Sequence, residues 1–395
     1  MCVLVCLAQV IIDNITDSTH LLWPVNQIIT PAIQGKTMKK LQAFTGLYII
    51  FAVVALLAGC TGTQTKIGAD ESFSIAWAES SGSISLRNSK DGLTWTSVDF
   101  PQSILSTTGP GIAADTLDIV HFLATGDKTG HTVGQFGLGP TAYTIATPEI
   151  LDKSTALAMQ SAPALAPAGT NKWYVAFRQN NSVKLLLLTR TVKVGTNQFD
   201  YKWTDTTPVL SVNNTLVQGK PSIAVIGDKV LLSWYRGSTP AELQMVVGTI
   251  TTSGTVTWKG GYVFPYTHSS AGAVELAHDL TQDGSQFVLG VVREDLPASP
   301  PLKLYSLHTY GSKDGQQWQA LSVLGSKSSA KSVHQSNPLG LAVKSNGHMF
   351  VAQSAAGQLR AFFFNGSKWN DVSGSFSGVY PLKGTGIAVV NTGRP

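Results

Sequence analysis

The chain has 395 residues, 43% of them hydrophobic and only 13% charged, against about 25% charged in an average soluble protein. Its formal charge of +5 is spread singly, with no basic run after residue 60, which speaks against a nucleic-acid footprint of clustered Lys and Arg. The three cysteines are Cys2, Cys6 and Cys60, so nothing beyond them can form a disulfide or a cysteine-ligated zinc site.

From Met38 the chain reads MKKLQAFTGLYIIFAVVALLAGC: two lysines, an uncharged apolar run from Leu41 to Ala58, then small residues and Cys60. That order is an export signal with a cleavage site. Its end, LAGC, resembles the lipobox of bacterial lipoproteins. The resemblance implies cleavage before Cys60, lipid on its sulfur and new amino terminus, and a protein anchored outside a bacterial membrane. About 18 apolar residues can also just span a bilayer, so an uncleaved anchor stays open. The expected organisation is an extension upstream of the true start at 1–37, a signal peptide at 38–59, lipidated Cys60 with a polar tether at 60–70, and one folded domain at 71–395.

Beyond Asp70 the chain is a string of short strands separated by Gly, Pro, Asn and Asp turns, with no useful helical period. Segments beginning at Gly109, Ala162, Lys220, Gly272, Asn337 and Gly384 repeat a Gly- or Pro-led strand with a small apolar centre. Each of the first five leads to a second strand (DIVHFLA, KWYVAFR, KVLLSWY, QFVLGVV, HMFVAQS), and fourth strands carry a recurring Trp. The first unit, from Phe73, has no first strand, while the last strand has nothing after it. The fold expected is therefore all-β: a six-bladed β-propeller over 71–395, its ring closed by the C-terminal strand pairing in the N-terminal blade. Two all-β sandwiches are the alternative.

One sentence is written twice: SKDGLTW at Ser89, Asp91, Gly92 and Trp95, and SKDGQQW at Ser312, Asp314, Gly315 and Trp318. Asp ties its own backbone and Gly accepts positive φ, so both are turns. They resemble the Asp box (BNR repeat) of sialidase-type propellers, in the form with Gly directly after Asp. The resemblance implies turns between third and fourth strands, with Trp95 and Trp318 packed between sheets, and it says little about activity. Sialidase chemistry would need three arginines on a carboxylate, a Tyr paired with Glu as nucleophile, and an Asp. The family's Phe/Tyr-Arg-Ile-Pro motif and its Glu are missing here. Tyr380, before the closing strand, is placed somewhat like the nucleophile.

Second strands end in AFR, WYR and VVR, setting Arg178, Arg236 and Arg293 at nearly equivalent positions, with Glu79 on the same rim. Three guanidiniums around one mouth would make an anion site; solvated strand ends paired with neighbouring acids are the plainer alternative. The histidines show no metal-ligand spacing and no Gly-x-Ser-x-Gly elbow occurs, so no metal, cofactor or hydrolase triad is expected. The function expected is an envelope-anchored, monomeric propeller that binds an acidic glycan or other anion at the arginine-bearing face. The alternatives are an exo-sialidase or other glycoside hydrolase with a diverged site, and a non-catalytic protein scaffold.

Overall fold

In β1 (Ser72–Ala78) all seven residues are buried, and β14 (Lys229–Arg236) is buried at six consecutive positions. Strands apolar on both sides belong to sheets covered on both faces. The computed structural model describes residues 71–392 apart from connecting stretches, the longest being 326–338, and Gly68–Pro395 forms one unit.

Sheet I holds β1, β2 (Ile84–Ser89) and β3 (Thr96–Val98). Sheet II holds β4 (Gly111–Ala114), β5 (Ile119–Thr125), β6 (His131–Leu138), β7 (Tyr143–Ile145) and β8 (Glu149–Leu151). Sheet III is β9 (Ala164–Pro167), β10 (Lys172–Gln179), β11 (Ser182–Val192) and β12 (Phe199–Asp205). Sheet IV is β13 (Val217–Ile226), β14, β15 (Glu242–Ile250) and β16 (Val256–Thr267). Sheet V is β17 (His278–Gln282), β18 (Phe287–Asp295), β19 (Leu304–Ser312) and β20 (Gln319–Leu324). Sheet VI is β21 (Leu339–Val343), β22 (Met349–Ala355), β23 (Gln358–Phe364) and β24 (Trp369–Asp371). Last, β25 (Ala388–Thr392) returns to sheet I as the partner of β1, with Ser72 opposite Thr392 and Ala76 opposite Ala388.

All pairings are antiparallel, and the inner strands pack on one another in the order β25, β4, β9, β13, β17, β21 and again β25. This is an all-β propeller. The expectation of six equivalent four-stranded blades needs correction, because only five of the sheets have four strands. In sheet II the outer edge of β6 is shared, with Phe136–Leu138 paired to β7 and His131–Val133 paired to β8. The sequence between those two short strands carries Pro148, which has no amide to extend a ladder, and this unit lacks the Trp that anchors the outer strand elsewhere.

A second correction concerns sheet V, where the inner strand is β17, HDLTQ, and not the segment led by Gly272. His278 and Asp279 look like turn residues, yet both are buried. Asp279 is accommodated because Oδ1 accepts from the Ser222 hydroxyl (2.7 Å) and the Leu280 amide (3.0 Å), while Oδ2 accepts from the Leu341 amide (2.9 Å). One carboxylate thereby joins β13, β17 and β21.

Core clusters fill the spaces between consecutive sheets. Tyr174, Ala176, Val183, Leu185 and Leu187 of sheet III meet Ile223, Val230, Leu232 and Trp234 of sheet IV, and Leu231, Tyr235 and Leu243 meet Leu280, Phe287, Leu289 and Val291 of sheet V. The outer Trp residues reinforce these joins. Trp258 donates Nε1 to the Thr206 carbonyl at 2.9 Å, Trp318 donates to Tyr262 Oη at 3.0 Å, and Trp95 lies 4.5 Å from Phe350 and 5.1 Å from Phe376. At the two boxes Asp91 Oδ1 accepts from the amides of Leu93 and Thr94, Asp314 Oδ1 does so from Gln316 and Gln317, and the glycines sit at φ 76° and 74°.

Candidate functional site

Side chains alternate along a strand, so the core clusters fix where each arginine points. Arg178 follows Ala176 by two residues on the side of sheet III that faces sheet IV. Arg236 follows Trp234 by two on the side of sheet IV that faces sheet III. Arg293 follows Val291 by two, toward sheet IV from sheet V. Arg178 and Arg236 therefore share the III/IV groove, and Arg293 belongs to the next one. Register explains the offset: Val175 lies opposite Leu165, Leu232 opposite Ile223 and Leu289 opposite Leu280. Arg178 comes three residues after its reference position, whereas Arg236 and Arg293 come four after theirs. The shared ending in Arg hid a one-residue slip, which changes the face.

The III/IV groove carries the denser chemistry. Arg236 Nη1 lies 3.8 Å from Glu242 Oε2, each side chain being about a third exposed or less (27% and 30%). Gln244 donates Nε2 to the same Oε2 at 2.9 Å. Trp234 pairs across the strands with Gln244, and Arg236 with Glu242, so the four side chains form a two-by-two array on one face. Two buried polar atoms on this face have no hydrogen-bond partner among the described residues: Arg236 Nε and Trp234 Nε1. Val217 lies opposite Arg236 on this face, Gln218 lies opposite Tyr235 on the other, and the pairing slips between Gln218 and Ser222, a bulge in the inner strand.

The rim belongs to sheet III and to Leu216. Asn180 and Asn181 take φ 50° and 59°, as a tight hairpin requires, and the Asn181 carbonyl accepts the Val217 amide at 2.8 Å. Arg178 donates Nη2 to the Gln160 carbonyl at 3.0 Å. Leu216 is 54% exposed and sits at φ 63°, a strained conformation for a side chain branched at its γ carbon. Its carbonyl accepts the Gly237 amide at 2.8 Å, which keeps it beside the end of β14.

The other expected residues lie elsewhere. Glu79 accepts Trp77 Nε1 at 2.7 Å and bridges through its backbone to Pro381. Tyr380, next to that bridge, is 53% exposed, and no described residue hydrogen-bonds its hydroxyl. Both belong to sheet I, which does not adjoin sheets III or IV. Cys60 lies outside the described residues. No group of three metal-ligating side chains occurs among the described residues. The two unpartnered polar atoms of the groove could not be read from sequence, because they follow from register and burial. The bulge beside Gln218-Gly219 had only its glycine as a signal.

No family model matches the chain, and no curated protein matches it. Among solved structures it is similar to the fucose-specific lectin from Aleuria aurantia, at 12% identity over 80% of this chain and 92% of that one, with a TM-score of 0.47. It is similar too to a Penicillium chrysogenum α-L-arabinanase complexed with arabinobiose, at 12% identity over 66% and 79%, with a TM-score of 0.42. An endo-arabinase from Bacteroides thetaiotaomicron aligns at 12% identity over 73% and 100%, with a TM-score of 0.39. At such values the likenesses carry no argument about what this chain binds. The expected resemblance to sialidases is corrected to this extent: the similar structures named here are a fucose lectin and two arabinanases. The physical reason is that the Asp box is a local turn device: Asn365 makes the same turn in sheet VI, accepting the amides of Ser367 and Lys368, with no Asp at all.

Proposed function

We propose that this chain is an exported propeller that binds carbohydrate in the groove between sheets III and IV. Arg236, Glu242 and Gln244 would meet sugar hydroxyls, and Leu216 the apolar face of the ring. The observation that carries the reading is the set of buried, unpartnered polar atoms beside a partly exposed ion pair. A hydroxyl both donates and accepts, so it can satisfy the Arg236 guanidinium N–H and a Glu242 carboxylate oxygen together. Leaving such atoms unmet costs about 1–3 kcal/mol each. Because Glu242 neutralises Arg236, this groove favours hydroxyls over anions. The LAGC ending supports lipid attachment at Cys60 and a position outside the membrane.

The test is a glycan array probed with the purified full-length chain. Binding to one glycan class is expected, reduced at least tenfold by Arg236→Met and by Glu242→Gln, since charge-assisted hydrogen bonds contribute roughly 1.5–3 kcal/mol each. Unchanged binding in both variants would remove the groove from consideration. Cys60→Ser is expected to abolish labelling by radioactive palmitate.

A further inference from the structure

Lys220 reaches the centre of the propeller from β13. Its stem passes over Gly386, with Cδ 3.7 Å from where a β-carbon would stand there, and its side chain is only 10% exposed. The nearest anionic group is Asp279, whose Oδ1 lies 3.8 Å from Nζ, beyond hydrogen-bond length. Asp279 is already engaged by the Ser222 hydroxyl and the amides of Leu280 and Leu341. An ammonium has three N–H donors, and among the described residues Nζ makes no hydrogen bond. Attraction to a carboxylate at that distance steadies the charge but leaves its N–H donors without a protein acceptor among the described residues.

We infer that Lys220 Nζ is the anchor of an oxyanion site on the propeller axis, taking a single small carboxylate or phosphate. The surroundings suit a small ligand. Gly386 comes within contact of both Gly109 and Ala162 just ahead of their strands, a β-carbon on Gly386 falling 2.2 Å from Ala162 Cβ. No further acid is described at the position, and the adjoining His278 is held neutral, its pKa lowered to about 3 first by burial and then by Lys220 itself. Asp279 aligns the stem while its own charge is spread over three donors, so an anion meets little opposition. The oxyanion is either free in solution or the acid group of a sugar acid, and the site stands independently of the III/IV groove.

Calorimetry on the purified full-length chain with acetate, inorganic phosphate and glucuronate, and with glucose as control, tests this. Wild type is expected to bind at least one oxyanion and not glucose at this position, and Arg236→Met is expected to retain that binding. Lys220→Met is expected to abolish it. Asp279→Asn, which removes the competing charge, is expected to tighten it by roughly tenfold or more. Preference for glucuronate would identify a sugar acid; equal binding of acetate and phosphate would identify a free anion. Equal oxyanion binding by wild type and Lys220→Met, or no binding by wild type, overturns the site. If Lys220→Met does not fold, an Asp279→Asn chain with unaltered anion affinity overturns it as well.

Discussion

Asn365 stands in sheet VI where Asp314 stands in sheet V. Each side-chain oxygen accepts from the amides two and three residues ahead. Each is followed by a glycine of positive φ, 74° at Gly315 and 87° at Gly366, and by a Trp four residues on. The turn needs an acceptor, not a charge, so an amide serves as well as a carboxylate.

Asp314→Asn is accordingly expected to leave stability at neutral pH nearly unchanged, while Asp314→Ala loses about 1 kcal/mol. The amides of Gln317 and Gln316, then the Ser312 hydroxyl, hold the Asp314 carboxyl below its usual value of 3.8. Its stabilisation is therefore complete above that value and is lost as the pH falls through the lower folded one. Urea unfolding between pH 2 and 5 should show this limb in wild type and a shallower one in Asp314→Asn.

Tyr262 couples sheet IV to that turn. Its hydroxyl donates to the Gly315 carbonyl and accepts from Trp318 Nε1. Burial first, and then the charge of Asp314, push its pKa up to about 12. Tyr262→Phe is expected to cost about 1–2 kcal/mol in urea unfolding. A phenol with a raised folded pKa stabilises fully below 10 and loses that contribution as the pH rises through about 12, so ultraviolet titration should show one fewer late-ionising tyrosine in the variant.

What the sequence displayed and what it concealed divide along one physical line. Strand alternation and the outer Trp residues are local signals, and the sheets built on them were legible. The Asn365 turn was missed because Asn replaces Asp and Phe363 replaces Ser, leaving Asn-Gly with Trp four residues on as the signal. Strand β17 was missed because His278-Asp279 reads as a turn unless its partners, Ser222, Leu341 and Lys220, are known to surround it. The arginines illustrate the same limit. Their spacing within each strand is visible, but the register that sends Arg178 and Arg236 into one groove and Arg293 into another is set by pairing with a different strand.

Gly386 is required by close approach. A β-carbon there would lie 2.2 Å from Ala162 Cβ, and each residue stands two positions before an inner strand that cannot shift without disturbing its neighbours. Gly386→Ala is expected to destabilise by roughly 1–3 kcal/mol. Ala162→Gly in the same chain should recover part of that loss, and strictly additive effects in thermal unfolding would show that the two do not meet in solution.

His278 provides the acid-sensitive element at higher pH. It packs edge-on against Tyr235 with ring centroids 5.0 Å apart, and its Nε2 has no partner among the described residues. Burial, followed by the charge of Lys220, lowers its pKa from 6.5 to about 3, against a smaller opposing effect of a backbone hydrogen bond at Ser233. The unfolded chain gains a proton below 6.5 that the folded chain refuses, so stability is greatest above that value and falls as the pH drops toward about 3. Asp314 acts only below 3.8, which separates the two windows. Replacing His278 by Gln should flatten the loss between pH 6.5 and 4 while leaving the steeper limb below it, and an unaltered slope in that upper window would assign the acid sensitivity to another group.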